Sequence, residues 1–146
     1  MYKIGYTTGV FDLFHTGHLQ IIKKAKSMSQ HLIVAVSSND LVFSYKNLYP
    51  IMSLEERMEI IGALKYVDQV VVQDNMNKIS AWEKYQFNAH FHGNDWQSSE
   101  LFLKLEKEFE SRGVANIFFD YTKGTSTSML KKRVYDLMSV YQENID

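Results

Sequence analysis

The chain has no cysteine. That excludes disulfides, thiolate metal sites and a cysteine nucleophile, and it fits a reducing compartment. It has one proline, Pro50, and no Pro/Gly/Ser-rich tract, repeat or linker, so one domain over all 146 residues is expected. Excess charge of either sign is also missing. A net charge of -1 supplies no basic field for nucleic acid or an anionic membrane surface. Long apolar runs are absent: stretches such as Ile33–Val36 are far too short to span a bilayer. Nor does the start, MYKIGYTTGVFD, read as a basic-then-apolar signal. The expectation is a cytoplasmic protein with no membrane insertion and no nucleic-acid partner.

What is present is a regular alternation of short apolar runs and longer amphipathic stretches. Strands are expected at Tyr2–Thr8, His31–Ser37, Gln69–Gln73, Ala89–Gly93 and Ala115–Asp120. Helices are expected at Gly17–Met28, Ser53–Tyr66, Asn77–Tyr85, Ser98–Arg112 and Ser126–Gln142, with Ser53 and Glu56 in capping-box spacing and Gly113 ending the fourth. Five β-α units with continuously apolar strands predict an α/β fold: a single-domain, Rossmann-like parallel sheet of five strands with helices on both faces. In such sheets ligands bind beyond the carboxyl ends of the strands, so functional residues should follow strands directly.

Two segments fit that forecast. After the first strand comes Gly9-Val10-Phe11-Asp12-Leu13-Phe14-His15-Thr16-Gly17-His18. Its two histidines, three apart at the mouth of a helix, share one side. The helix start favours anions, and two imidazoles beside it can donate to phosphate oxygens. Gly9 lets backbone approach a ligand, and Gly17 permits close packing at the helix start. A metal half-site is the other reading, but no third ligand is apparent. After the last strand comes Tyr121-Thr122-Lys123-Gly124-Thr125-Ser126-Thr127-Ser128, where hydroxyls at a helix start suit phosphate; taken alone the segment favours ordinary capping by Ser126 or Thr125, and taken with the first segment, at the equivalent end of the sheet, it can clamp one triphosphate.

GVFDLFHTGH resembles the GxFDxxHxGH signature of the cytidylyltransferases, nucleotidyltransferases of the HxGH superfamily that also includes class I aminoacyl-tRNA synthetases. The likeness runs over nearly the whole chain and is nearest to the single-domain bacterial glycerol-3-phosphate type. It implies CMP transfer from CTP to a small phosphorylated alcohol, with Mg²⁺ carried on the triphosphate, in a homodimer. An adenylyltransferase acting on a sugar phosphate or cofactor precursor, or a nucleotide-binding regulatory protein that has lost turnover, are the alternatives.

By the same resemblance His15 and His18 stabilise the pentacovalent α-phosphate. Gly9, Val10, Phe11, Gly17, Gly93, Asp95, Thr122, Lys123, Gly124, Ser126 and Thr127 bind the nucleotide. Asp12, Lys46 and Lys78 meet the acceptor. Lys46 matches a lysine on a mobile loop after strand two and is also placed among the catalytic groups; Lys78 aligns with a substrate-phosphate lysine only through a gap. HGNDW at 92–96 resembles the family's GDDW, with Asn94 replacing an acid.

The second signature, RTxGISTT, is matched at Thr122, Gly124, Ser126 and Thr127, but Tyr121 stands where the family has arginine, and Lys65 replaces the arginine of RYVD. A tyrosine cannot supply a guanidinium's permanent charge and planar fork. Lys123, two residues on, is the candidate substitute. Arg57 matches the arginine of an ExR element and is expected to be structural, paired with a carboxylate. The acceptor is not readable: phosphoethanolamine, phosphocholine and other polyol phosphates stand beside glycerol phosphate, because the chain has one lysine in a loop that is lysine-rich in the glycerol-phosphate enzymes.

Overall fold

The computed structural model describes residues 1–93, 99–120 and 124–145. Five strands, β1 (Tyr2–Gly9), β2 (Ser29–Ser37), β3 (Gln69–Gln73), β4 (Ala89–Gly93) and β5 (Ala115–Phe119), form one parallel sheet in the order β3-β2-β1-β4-β5. Among the described residues six helices accompany them: α1 (Thr16–Ser27), α2 (Asn39–Lys46), α3 (Leu54–Gly62), α4 (Lys78–Tyr85), α5 (Glu100–Ser111) and α6 (Thr127–Ile145). The strand order reverses between β1 and β4, which opens a crevice above their carboxyl ends.

The period-2 geometry of the central strands divides the core in two. Leu32, Val34, Val36 and Phe91 face one side, where Ile22 and Ala25 of α1 and Ile61 of α3 pack. Ile33, Ala35 and Tyr6 face the other, against Phe87, between α4 and β4, and Phe109 of α5, with Ile79 and Trp82 of α4 alongside. Helices therefore cover both faces, as the continuous apolar strands require.

Two differences from the sequence expectation have physical causes. The segment after β2 is not a loop: Ser38 caps a helix by accepting from Leu41 N (3.2 Å), Leu41 and Val42 are buried, and Asn47 ends the helix in a left-handed conformation (φ 57°). Lys46 thus sits in the last turn of α2. The expected Ser53–Tyr66 helix stops at Gly62, because the chain then turns to bring Asp68 under β2. There its carboxylate accepts from Leu32 N (2.7 Å) and Lys26 Nζ (2.6 Å). No described helix is long and apolar enough to cross a membrane.

Candidate active site

The loop between β1 and α1 is strained and heavily tied down. Phe11 (φ 56°) and Leu13 (φ 48°) are non-glycine residues in the left-handed region, a conformation that costs about 1–3 kcal/mol per residue and persists only where neighbours impose it. Those neighbours are identifiable. Buried Asp12 accepts from Ile51 N (2.8 Å) and Met52 N (2.9 Å), and Thr127 Oγ1 donates to its carbonyl (2.9 Å). Arg57 Nη1 donates to Val10 O (2.8 Å). The turn lays the Phe11 ring over Gly9, where an added Cβ would come within 2.8 Å of it, and sets it edge-on to His18 at 5.4 Å.

His15 and His18 stack with centroids 3.7 Å apart. His15 is the N-cap of α1: its Nδ1 accepts from Gly17 N (3.0 Å), while Nδ1 of His18 accepts from His15 N (3.3 Å). This is a capping box built from two imidazoles in place of the usual hydroxyl and carboxylate. It has a chemical consequence. A nitrogen that accepts carries no proton, so in each neutral ring the proton resides on Nε2. Burial, then the neighbouring His15, pushes His18 down to about 4 against the opposing pull of Asp12, and burial lowers His15 as well. At neutral pH both rings are therefore uncharged donors through Nε2–H, at a helix start whose dipole favours anions.

A cleft of about 1080 Å³ opens beside them, at the top of the range for small-molecule sites. Gly9, Val10, Phe11, Asp12, His18, Lys46, Lys78, Gly93 and Thr127 all line it. Gly17 lies between the helix starts: a Cβ there would meet the His15 ring at 2.8 Å and stand 3.5 Å from Thr125 O, so the first and second signature segments abut. Gly124 turns the chain into α6 at φ 88°, where a side chain is disfavoured. Ser126 Oγ accepts from Met129 N (3.1 Å) and so caps α6, while its O–H remains a donor. Asp95, Thr122 and Lys123, with Asn94 and Tyr121, lie outside the described residues.

Among the described residues four lysines line the cleft: Lys46, Lys78, Lys104 and Lys131. Lys46 is exposed at its rim, in a helix and not on the loop expected. Lys78 is drawn inward: its Nζ donates to Thr8 Oγ1 (2.9 Å), and desolvation lowers it to about 8. Lys131, which the sequence reading did not single out, lies 3.9 Å from Asp12 Oδ2. Its place one turn into α6, after a hydroxyl-rich helix start, was the available signal. Lys65 does not take part; it lies over the Tyr66 ring outside the cleft. Arg57 corrects the expected carboxylate pairing. Wholly buried, it donates to Met52 O (3.1 Å), Val10 O, Ser37 O (2.7 Å) and Asn39 Oδ1 (2.6 Å), fastening the ends of β1 and β2 to α3.

A family model described as cytidylyltransferase-like matches residues 6–133. The chain belongs to that family. Among curated relatives, the glycerol-3-phosphate cytidylyltransferase of Staphylococcus aureus is 30% identical over 131 residues, 88% of this chain and 92% of that protein. The enzyme of the same name from Bacillus spizizenii is 32% identical over 132 residues, 90% and 96% of the two chains. A solved lipopolysaccharide core biosynthesis protein from Thermoplasma volcanium superposes with a TM-score of 0.69, covering 86% of this chain and 100% of that one. At 22% identity that likeness concerns the fold. Membership makes this cytidylyltransferase-like chain a nucleotidyltransferase; His18 lines the cleft at the crevice where such a sheet binds ligands, and His15, stacked on it, is not among the lining residues.

Proposed function

We propose that the protein transfers CMP from CTP to glycerol 3-phosphate, giving a CDP-alcohol and pyrophosphate. A phosphate oxygen of the acceptor attacks the α-phosphorus; the new P–O bond forms as the bond to the β-phosphate bridging oxygen breaks, and pyrophosphate leaves with that electron pair. The attacking phosphate is already ionised, so no general base is required. The observation that carries this reading is the stacked His15–His18 pair with both Nε2–H groups left to donate. Donors of this kind, fixed before the reaction, stabilise charge that gathers on the α-phosphate oxygens.

Lys46, Lys78 and Lys131 supply positive charge around the cleft, with Lys123 assigned to the same task in place of the family arginine at position 121. Gly93 and Asp95 are assigned to the base and ribose. Magnesium enters as Mg·CTP. The cleft is lined by imidazoles, ammonium groups, hydroxyls and amides, a set that suits phosphate oxygens; of its two carboxylates, Asp12 already accepts two backbone N–H groups and Glu108 lies 4.0 Å from Arg112. The protein acts in the cytoplasm as a homodimer. The exposed Tyr135, Leu137, Met138 and Tyr141 on α6 support a second copy as the cover of that helix, and sedimentation at micromolar concentration tests it.

A matrix of the four nucleoside triphosphates against glycerol, ethanolamine, choline and longer polyol phosphates, read by pyrophosphate release, tests the reaction. CTP with glycerol 3-phosphate is expected to be fastest. Preference for ATP, or no release with any alcohol phosphate, overturns the proposal.

A further inference from the structure

The outer part of α6 has little of its own chain to pack on. Every residue in 132–145 is exposed, and 134–145 lie past the stretch shared with the family. A bare helix of this length is marginal in water, so the segment needs a cover. Its two faces differ in kind. Around the helix Leu130, Val134, Leu137, Met138, Tyr141 and Ile145 fall in a stripe about 100° wide, the width of a face meant for burial. Leu137, Met138 and Tyr141 are nonetheless 70%, 67% and 68% exposed. The opposite face carries Lys132, Asp136, Ser139 and Glu143, with Lys132 Nζ 2.7 Å from Asp136 Oδ2.

The polar face argues against a membrane as the cover. A helix lying on an anionic bilayer presents lysine and arginine to the headgroups, whereas here Lys132 is outnumbered by Asp136 and Glu143. The stripe itself has no charge that a different protein would have to match, and about a two-fold axis it is its own complement. At roughly 100 Å² per side chain, two copies laid together along 130–145 remove on the order of 1,000 Å² from water, the size a specific interface needs. The inner end of the same helix belongs to the active site. Thr127 Oγ1 donates to Asp12 O (2.9 Å), Lys131 Nζ lies 3.9 Å from Asp12 Oδ2, and a Cβ on Gly17 would stand 3.5 Å from Thr125 O. So α6 bears on the strained turn that aims His18.

We propose that a second copy completes the active site from outside it: pairing of the two α6 stripes orders the helix, and the ordered helix holds Thr127 and Lys131 on the catalytic turn. A separated protomer then binds Mg·CTP poorly. Helix formation is cooperative, so a first turn whose continuation frays does not hold its own side chains in place. The proposal rests on the reaction and the homodimer assigned above; it adds that pairing through α6 controls the site.

The test compares the whole chain with two variants, Leu137→Glu/Met138→Glu on the stripe and Ser139→Glu on the polar face. Each is examined by sedimentation, amide hydrogen exchange and affinity for α,β-methylene CTP with Mg²⁺, which cannot release pyrophosphate, across a range of protein concentration. Wild type and Ser139→Glu are expected as dimers, and the stripe variant as a monomer throughout. In that monomer the amides of α6 should exchange at least about tenfold faster, and so should the N–H groups of Ile51, Met52 and Gly17, which bond to Asp12 and His15. Affinity for the CTP analogue should fall about tenfold. Exchange at Leu32 and Val34 of β2 should not change, which shows the core intact. Dilution of wild type should reproduce each effect. A stripe variant that stays dimeric, a monomer with wild-type exchange and affinity, or a wild-type monomer overturns the inference. So does binding of wild type to phosphatidylglycerol vesicles that the stripe variant loses. Wild-type dimers that show the expected exchange differences but neither bind the analogue nor release pyrophosphate from CTP overturn the reaction and leave the pairing standing.

Discussion

Arg57→Met removes the joint that fastens the catalytic loop to the sheet. The guanidinium donates four hydrogen bonds, to three carbonyl oxygens on separate segments and to the Asn39 amide. A hydrogen bond from a charged donor contributes about 1.5–3 kcal/mol net, and an acceptor stranded by deletion of its partner costs about 1–3 kcal/mol. Four such losses are not fully additive, since carbonyls tolerate incomplete pairing better than amides do, and desolvation of the buried charge, several kcal/mol, is relieved. The balance is a destabilisation of about 3–5 kcal/mol, against a total stability of about 5–15 kcal/mol for a domain. Urea unfolding reads it directly: with m near 2 kcal/mol/M, the midpoint falls by about 2 M at unchanged m. Arg57→Lys keeps the charge but loses the planar fork, and should fall between wild type and methionine. Below the transition, turnover of the methionine variant should drop at least about tenfold, because Val10 no longer fixes the turn that aims His15 and His18. A midpoint shift under about 0.5 M would show that the carbonyls find other partners and would refute the reasoning.

Separating cap from catalyst is possible at His15. His15→Asn keeps a side-chain acceptor for Gly17 N and should hold stability within about 1 kcal/mol of wild type, whereas His15→Ala loses about that much through the missing cap. Both should lower kcat by about two orders of magnitude, because neither offers an Nε2–H donor. Normal turnover in the asparagine variant would reduce His15 to a helix cap. The pH dependence of stability has a definite sign. In the folded protein burial holds His18 and His92 down at about 4 and keeps His90 well below its ordinary value, against about 6.5 unfolded. The unfolded chain therefore binds more protons below pH 6.5, and stability falls as pH falls through the window from about 6.5 to 4. Near pH 5 the slope from His18 and His92 approaches about 2.5 kcal/mol per unit, from roughly 1.4 kcal/mol for each proton, and His90 adds to it in the same direction. A urea midpoint that stays flat between pH 7 and 5 would contradict this, and His90→Phe should remove part of the slope.

The strands were readable because a parallel sheet covered on both faces demands continuous apolar runs, and Leu32–Val36 can be little else. The residues that position the site were harder to read, each for a stated cause. Arg57 lies in a helix whose neighbours Glu55 and Glu56 are exposed, so its pattern reads as a solvated face; only tertiary closure shows the four acceptors converging on it. Eight-residue α2 is stabilised by the burial of Leu41 and Val42 and by its caps, not by helix periodicity over several turns. His90 and His92 were hidden inside a strand that was correctly placed, because alternation predicts burial and says nothing about how far burial lowers an imidazole.

The HxGH spacing was readable for a reason that reaches beyond chemistry. With His15 as the cap, His18 is the N3 residue that reaches back to it, and Gly17 is the one position where a Cβ would strike the folded-over ring. Spending both Nδ1 atoms on the backbone fixes the tautomers, which leaves both Nε2–H groups to the ligand. Helix capping uses one nitrogen of each ring, and the charge stabilisation proposed above uses the other. A substitution that keeps one function need not keep the other, and that is why the asparagine variant at position 15 distinguishes them.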